Sequence, residues 1–252
     1  MISRYEAYMD GTSLSSLDNS IYVLNIQPGE INKQITTNKV AGRVGSRIMK
    51  NEAVSTSVTV FFEIHEYDTV KRQAVCQKVQ KWANGSVLTV SDRPDQRMRC
   101  VCSSYPHANA KEWTEPLSVT FVAYNPPYWE ENNETSVTST GTDQSVYVPG
   151  NASESLVSCT VTVGSSLSSI TLAVGEKSIT LNGLSAAAND EIEIGYNENN
   201  VMYITLNNSS ILDKRTGASD DDLTAVCGEY NTFAVTTSAS VSAVFKTRGC
   251  WY

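Results

Sequence analysis

The chain has 252 residues, of which 40% are hydrophobic and 18% are charged, so it can bury one large core or two ordinary ones. Its net charge is −8, from 19 basic and 27 acidic residues, which argues against binding to nucleic acid or to an anionic membrane. The opening segment MISRYEAYMDGTSLSSLDNS has no apolar signal region, and no stretch approaches the roughly 18 apolar residues of a membrane helix. We therefore expect folding in a reducing cytoplasm, where the six cysteines are small buried residues and not a disulfide framework.

The first half of the chain predicts strands around a single helix. Residues 54–64 alternate between apolar and polar side chains, which is typical of a strand with one buried face. In residues 68–84 the period changes, and Val75, Val79 and Trp82 form the apolar stripe of an amphipathic helix of about four turns. Asp68 is the predicted N-cap, and Gly85 is predicted to follow the end of the helix.

Three further strands are predicted in residues 86–92, 97–104 and 115–125. The last strand must stop where Asn125 meets a double proline, because proline cannot donate to a sheet ladder. Tyr128 and Trp129 are then predicted to fold back over the core. These elements predict a mainly β first domain, residues 1–130, with one packed helix.

The second half predicts strands alone. Residues 131–145 are polar and are interpreted as a linker, and residues 146–252 as a β-sandwich. Apolar residues at 170, 172 and 174 are expected to meet those at 179 and 181 across a tight turn. Residues 233–252 are interpreted as a terminal hairpin.

The residues that chemistry would need are scattered. His65 and His107 have no G-x-S-x-G motif to serve, and His65, at a strand end beside a charged turn, is interpreted as a surface residue. Cys100, Cys102 and His107 offer three zinc ligands, but they lack a fourth ligand and the usual spacing of paired thiolates. Residues 220–222, Asp-Asp-Asp, offer a calcium loop without the alternation of an EF-hand, and a solvated loop is the favoured interpretation.

Carboxylates and tyrosines leave two alternatives open. Glu130, Glu131 and Glu134 lie in the expected linker, which is a poor place to hold a pair of carboxylates for glycoside hydrolysis. Exposed tyrosines on a sandwich can stack on sugars, although half-buried packing is the favoured interpretation; the candidates are Tyr147, Tyr196, Tyr203 and Tyr230. The sequence therefore predicts no catalytic residue, no metal site, no cofactor site and no enzymatic activity.

The order of these elements resembles the distal tail protein of siphophages and prophages, which are long-tailed phages with a non-contractile tail. The resemblance lies in four segments: RVGSRIMKNEAVSTSVTVFFEIHEYD, TVKRQAVCQKVQKWANG, PLSVTFVAYNPPYWEE and ASVSAVFKTRGCWY. It implies a structural virion protein that forms a hexameric ring at the distal end of the tail tube. The first domains would build the ring around a channel, and galectin-like second domains would project outward; a galectin-like fold does not by itself confer sugar binding.

The same resemblance implies the partners and the location. The ring would join the tail tube protein to the tail-tip hub protein and position a receptor-binding protein, in a virion assembled in the host cytoplasm. DNA would pass through the ring without specific binding, since an acidic channel repels phosphate. Residues 29–51, polar and rich in basic residues, are predicted to include an extended loop or hairpin that reaches a neighbour or the tube, with an ordinary surface connection as the alternative.

Two other functions stay open from the sequence alone. One is a carbohydrate-binding sandwich that recognises sugars of the host wall, and the other is a hydrolase whose carboxylates meet only in the fold. The ring predicts self-association through the first domain and no turnover.

Overall fold

The structure is a computed structural model that describes residues 5–39, 47–107, 116–197 and 200–252. The chain divides into two compact units, Met1–Trp129 with Tyr252, and Glu130–Trp251. Strands dominate both units, and the described residues contain one α-helix, so the predicted mainly β fold with a single helix is confirmed. None of the helical segments in these ranges is long and apolar enough to cross a membrane.

The first unit is built from two antiparallel sheets and one helix. In chain order the elements are β1 (Ala7–Met9), β2 (Thr12–Ser13), β3 (Ile21–Pro28), β4 (Asn32–Asn38), β5 (Arg47–Ile64), α1 (Thr69–Trp82), β6 (Val87–Val90), β7 (Arg93–Arg99), β8 (Val101–Ser104) and β9 (Leu117–Ala123). A 3₁₀ turn spans Ser15–Leu17. One sheet has the order β3-β5-β9-β8, with β4 paired to β5, and in the other sheet β2, β1, β6 and β7 are neighbours in that order.

The core of this unit lies between α1 and the sheet that contains β5 and β9. The predicted alternation is confirmed, because Val58, Val60 and Phe62 are all buried on one face of β5. The rings of Trp82 and of Phe121 in β9 pack edge to face, with ring centroids 5.8 Å apart. The helix therefore covers the apolar face of the sheet.

The predicted start of α1 is confirmed in detail. Asp68 is the N-cap, and its carboxylate accepts hydrogen bonds from the backbone N–H groups of Val70 and Lys71 at 2.8 and 3.2 Å. The helix ends at Trp82, so Gly85 lies two residues beyond the C-cap, Ala83. The glycine there is explained by crowding, since a Cβ at Gly85 would collide with the side chain of Met9.

The expected continuous strand over residues 97–104 is wrong. Strand β7 ends at Arg99 and pairs with β6, whereas β8 begins at Val101 and pairs with β9. Cys100 lies between them, where the chain passes from one sheet to the other. Alternation continues through this change because it reports which face is buried, not which strand supplies the hydrogen bonds.

Strand β9 ends at Ala123, just before the double proline, as predicted, and a cis Asn125–Pro126 peptide follows. Trp129 is buried, and the Arg93 guanidinium lies 5.2 Å from the centre of its ring. Tyr128 is half-buried, and its ring packs edge to face with that of Tyr252, with 6.2 Å between the centroids. The segment thus closes the base of the first unit. Trp129 also begins a short strand, β10 (Trp129–Glu131).

The second unit is a sandwich of two antiparallel sheets. Its strands are β11 (Thr135–Ser139), β12 (Gln144–Val148), β13 (Glu154–Leu156), β14 (Ser158–Val163), β15 (Leu167–Val174), β16 (Lys177–Ala186), β17 (Glu191–Tyr196), β18 (Met202–Leu206), β19 (Ser209–Ser210), β20 (Thr224–Val226), β21 (Glu229–Thr236), β22 (Val241–Thr247) and β23 (Cys250–Trp251). The two sheets have the strand orders β11-β22-β14-β17-β18-β19 and β12-β21-β15-β16. Phe233 and Phe245 are fully buried and meet between the sheets, with ring centroids 5.5 Å apart. A separate ribbon joins β13 to β20, and a 3₁₀ turn spans Leu212–Lys214.

The residues expected to form a linker, 131–145, are ordered as strands for much of their length. Strand β11 pairs with β22 from Thr135 opposite Thr247 to Ser139 opposite Ala243. Val137 and Ser139 point inward and are buried, so a strand with few bulky residues still contributes to the core. Low hydrophobicity predicted a loop here, but the hydrogen bonds to β22 override that composition.

Of the two hairpins predicted in the second half, one is confirmed and the other prediction is wrong. Leu172 lies opposite Ile179 and Ile170 opposite Leu181, so the predicted meander between β15 and β16 is confirmed. The expected terminal hairpin is wrong, because β21 and β22 belong to the two facing sheets and do not pair. Both strands direct alternate apolar residues into the same core, and that pattern is the same for a hairpin and for a crossing between sheets.

Candidate functional site

A long hairpin made by β4 and the first half of β5 is an exposed feature of the first unit. Seven β4 positions, from Asn32 to Asn38, pair antiparallel with β5 positions between Arg47 and Ser55. The predicted segment 29–51 therefore contains a hairpin, while its residues 40–46 lie outside the described residues. Whether it reaches a neighbour stays a prediction.

This hairpin carries apolar side chains in contact with solvent. Every residue of β4 is exposed, and Ile35 and Ile48 keep 59% and 60% of their surface accessible. Thr37 lies opposite Ile48, and the register shift beside this pair adds its extra residue to β5 and not to β4. Alternation along β4 is therefore kept, and Ile35, two residues from Thr37, points to the same side of the ribbon as Ile48. Exposed isoleucines at this density are typical of a surface that another molecule covers.

The hairpin also has a free backbone edge. β4 pairs with β5 on one side, and no strand in the described ranges pairs with its other side. A two-stranded ribbon with solvent on both faces is only marginally stable in water. The unpaired edge and the two isoleucines together offer the hydrogen bonds and the apolar contact that an additional strand would use.

The two histidines of the sequence lie in different local environments. His65 Nε2 lies 2.7 Å from the Glu63 carboxylate, and its ring packs on Tyr22 with centroids 4.4 Å apart. His107 is exposed and lines a small cavity of about 130 Å³ beside α1, together with Cys76. The two histidines thus lie in different surroundings, one at the end of β5 and the other beside the helix.

The zinc alternative is not supported where the structure describes the chain. Among the described residues no group of three or more histidine, cysteine, aspartate or glutamate side chains is placed to hold a metal ion. The six cysteines all lie in the described ranges and form no disulfide, and all except Cys102 are buried. Burial raises the pKa of the Cys100 thiol to about 12, so this group is a poor thiolate ligand near neutral pH.

The three consecutive aspartates each have a different environment. Asp220 accepts a hydrogen bond from the Ser178 N–H at 2.8 Å, which lowers its pKa, with a smaller contribution from Lys177. Asp221 pairs with Arg215 at 2.9 Å. Burial and the neighbouring charge of Asp221 raise the pKa of Asp222. They border a surface cavity of about 390 Å³, but two of the three carboxylates are engaged by protein donors.

The glutamates near residue 130 are also structural. Arg248 donates to the carbonyl of Glu131 at 2.8 Å and pairs with the Glu134 carboxylate at 3.0 Å. It also donates to the carbonyl of Asn132. Sequence reasoning missed this arginine because its partners are more than 100 residues away and two of them are backbone atoms. The Glu130 side chain is buried.

The four candidate tyrosines separate into two groups. Tyr196 is half-buried, its hydroxyl donates to the Leu223 carbonyl at 3.1 Å and accepts from the Leu223 N–H at 2.8 Å, and burial raises its pKa. Tyr203 donates to the Glu193 carboxylate at 2.8 Å. Tyr147 and Tyr230 lie directly opposite each other on β12 and β21, with ring centroids 5.4 Å apart.

A strand-rich first unit with one helix, followed by a β-sandwich, is a fold that this chain shares with a phage hub protein. That protein is Dit of phage SPP1, whose crystal structure is described as a paradigm of the hub adsorption apparatus in phages that infect Gram-positive bacteria. The two share 11% sequence identity and a TM-score of 0.69, over 96% of this chain and 98% of SPP1 Dit. The resemblance to phage distal tail proteins is confirmed at the level of the fold.

Two further structures have lower scores. A chain of the phage P2 baseplate, in its activated conformation with Ca, has 11% identity and a TM-score of 0.46 over 99% of this chain and 98% of its own. A chain of the same baseplate with Sr has 10% identity and a TM-score of 0.47 over 98% of both chains. No protein-family model matches the sequence, and no curated protein does either.

Proposed function

We propose that this chain is a structural protein of a phage tail, and that six copies form a ring at the distal end of the tail tube. The ring would connect the tail tube protein to the tail-tip hub protein and position a receptor-binding protein. It works by shape and performs no reaction. The fold shared with SPP1 Dit supports the class, and the exposed β4–β5 hairpin supports the assembly.

The hairpin is the observation on which the ring depends. A ring made from one kind of chain needs two different complementary surfaces on each copy, so that each copy binds the next and the last binds the first. The free edge of β4 and the side that carries Ile35 and Ile48 supply one such surface. A neighbouring first unit would supply the other and would cover the isoleucines.

Replacing the two isoleucines tests this assembly. The variant Ile35→Asp/Ile48→Asp places two carboxylates in the proposed contact, and we expect it to shift the purified protein from a hexamer to a monomer. Native mass spectrometry and light scattering measure the change. The matched control is Val201→Asp, since Val201 is 59% exposed but lies in the second unit. We expect that variant to remain hexameric.

The results also decide between the ring and its alternatives. A wild-type protein that stays monomeric at every concentration, or a hairpin variant that remains hexameric, would overturn the proposed assembly. Electron micrographs of the parent particle place the protein directly: antibody label at the tail tip supports the proposed location, and label elsewhere contradicts it.

A further inference from the structure

The outer face of the four-stranded sheet of the second unit has an unusual composition. On β12, β21, β15 and β16 the apolar residues point into the sandwich, and alternate residues point outward. No outward position on these four strands, all of which are described, holds a charged residue. The middle of the face holds small and hydroxyl side chains: Ser145, Thr171, Ala173, Thr180, Thr232 and Ala234.

A hydrogen bond supports the placement of these hydroxyl side chains on the outer face. The hydroxyls of Thr171 and Thr180 lie 2.9 Å apart, so both side chains are on the same side of the sheet. The charged residues of these strands, Lys177 and Glu229, occupy the first positions of β16 and β21, at the rim. Lys177 is paired there with Asp220 at 3.4 Å. The face is therefore neutral and rich in hydroxyl groups.

Two exposed aromatic rings stand at one end of this face. Tyr147 and Tyr230 keep 46% and 75% of their surface accessible, although they contact each other. Their planes are tilted by 57°, so the two rings present different surfaces to solvent. A tyrosine ring offers a flat apolar surface together with a polar hydroxyl, a combination that suits a ligand with both C–H and O–H groups.

The opposite sheet of the same sandwich differs in each of these respects. Its outer face carries Glu191, Glu193 and Lys246. Its exposed tyrosine, Tyr203, is bound to Glu193 through its hydroxyl. The neutral face is thus a property of one sheet and not of the unit as a whole.

We propose that the neutral face binds an uncharged saccharide, with Tyr147 and Tyr230 stacking on the C–H faces of pyranose rings. The hydroxyls of Thr232 and Ser145, next to the tyrosines, would exchange hydrogen bonds with those of the sugar. An anionic polymer would find no cation at the outward positions of the four strands, and an apolar partner would leave the hydroxyls without hydrogen bonds. This binding does not depend on the proposed ring, so either proposal can fail alone.

The test uses the full chain and three neutral probes: maltohexaose, cellohexaose and chitohexaose. Isothermal titration and chemical-shift mapping of ¹H–¹⁵N NMR spectra report binding and its location. We expect at least one probe to bind, with shifts confined to β12, β21 and β15. We also expect Tyr230→Ala and Tyr147→Ala each to weaken binding by about tenfold or more, while hexagalacturonate, an anionic probe, binds no more tightly than the neutral ones.

Tyr203→Ala is the matched control, because it removes a tyrosine from the opposite sheet and should leave the affinity unchanged. Both substituted rings are exposed, and circular dichroism of each variant checks that the fold is retained. Binding by none of the neutral probes would overturn the proposal. So would an affinity that survives both tyrosine substitutions, or one that Tyr203→Ala lowers equally.

Discussion

At the scale of single residues, an exposed ion pair ties the start of the chain to the helix. The Asp18 carboxylate accepts from Lys78 Nζ at 2.9 Å, and this hydrogen bond lowers the pKa of Asp18, with further contributions from Ser20. A carboxyl whose pKa is lowered by folding stabilises the folded state above its unfolded pKa of about 4, and the stabilisation is lost as the pH falls through the folded value. The pair thus makes the stability of the first unit depend on pH in the acidic range.

We expect Asp18→Asn to flatten this acid dependence. The wild-type chain should lose more stability than the variant between about pH 5 and pH 2, by less than about 1 kcal/mol because solvent screens the exposed pair. Urea unfolding at several pH values measures the difference. Asp143→Asn, at an exposed loop position, is the control. The same acid slope in Asp18→Asn and wild type would contradict the role of the pair.

Single residues also show where the sequence was informative about sites. The N-cap at Asp68 and the buried Trp129 were predicted because their signals are local. Other contacts join positions more than 80 residues apart. Tyr147 packs on Tyr230, and Arg248 binds Glu131 and Glu134. Such contacts depend on strand register, and a single sequence does not reveal which strands pair.

At the scale of elements, the start of α1 allows the contribution of its N-cap to stability to be tested. The Asp68 side chain accepts two backbone hydrogen bonds that the first helical turn would otherwise leave unmade. We expect Asp68→Ala to lower the free energy of unfolding of the first unit by about 1 kcal/mol, and Asp68→Asn to change it little. Urea denaturation followed by tryptophan fluorescence measures both. Equal losses in the two variants would show that charge, and not the cap, is responsible.

The elements themselves were predicted better than their connections. Alternation identified β5, β9, β15 and β16 because each has one apolar face. The same pattern predicted a hairpin from β21 and β22, which lie in different sheets. A strand of small polar residues, β11, was interpreted as a linker because only its pairing with β22 reveals it.

At the scale of the whole molecule, each unit has its own core. Phe233 is fully buried against Phe245 inside the second unit. We expect Phe233→Ala to destabilise that unit by about 3–5 kcal/mol, because the truncation leaves a cavity in a packed sandwich. Hydrogen exchange should show faster exchange in β14, β15, β21 and β22, with the amides of β5 and β9 unchanged.

A matched substitution in the first unit completes this test. Phe62 is fully buried in β5, and Phe62→Ala should raise exchange in the first unit while the sandwich keeps its protection. Loss of protection in both units from either substitution would contradict two separate cores. The boundary near residue 130 stays a proposal until such a measurement is made.

Strand β5 continues without interruption from Arg47, in the exposed hairpin, to Ile64, in the buried sheet. The register between β4 and β5 already shifts at two points, so a single extra residue in β5 can be absorbed as a β-bulge. Away from such a bulge, a one-residue insertion in the exposed half of β5 would reverse the side to which Ile48 points, whereas a two-residue insertion would preserve that side. Regular lengthening in steps of two residues, or about 7 Å, therefore keeps the isoleucines on one side of the hairpin. Relatives of this chain whose hairpins contact thicker or thinner neighbours should differ in hairpin length by even numbers of residues, or carry an added bulge for each odd residue.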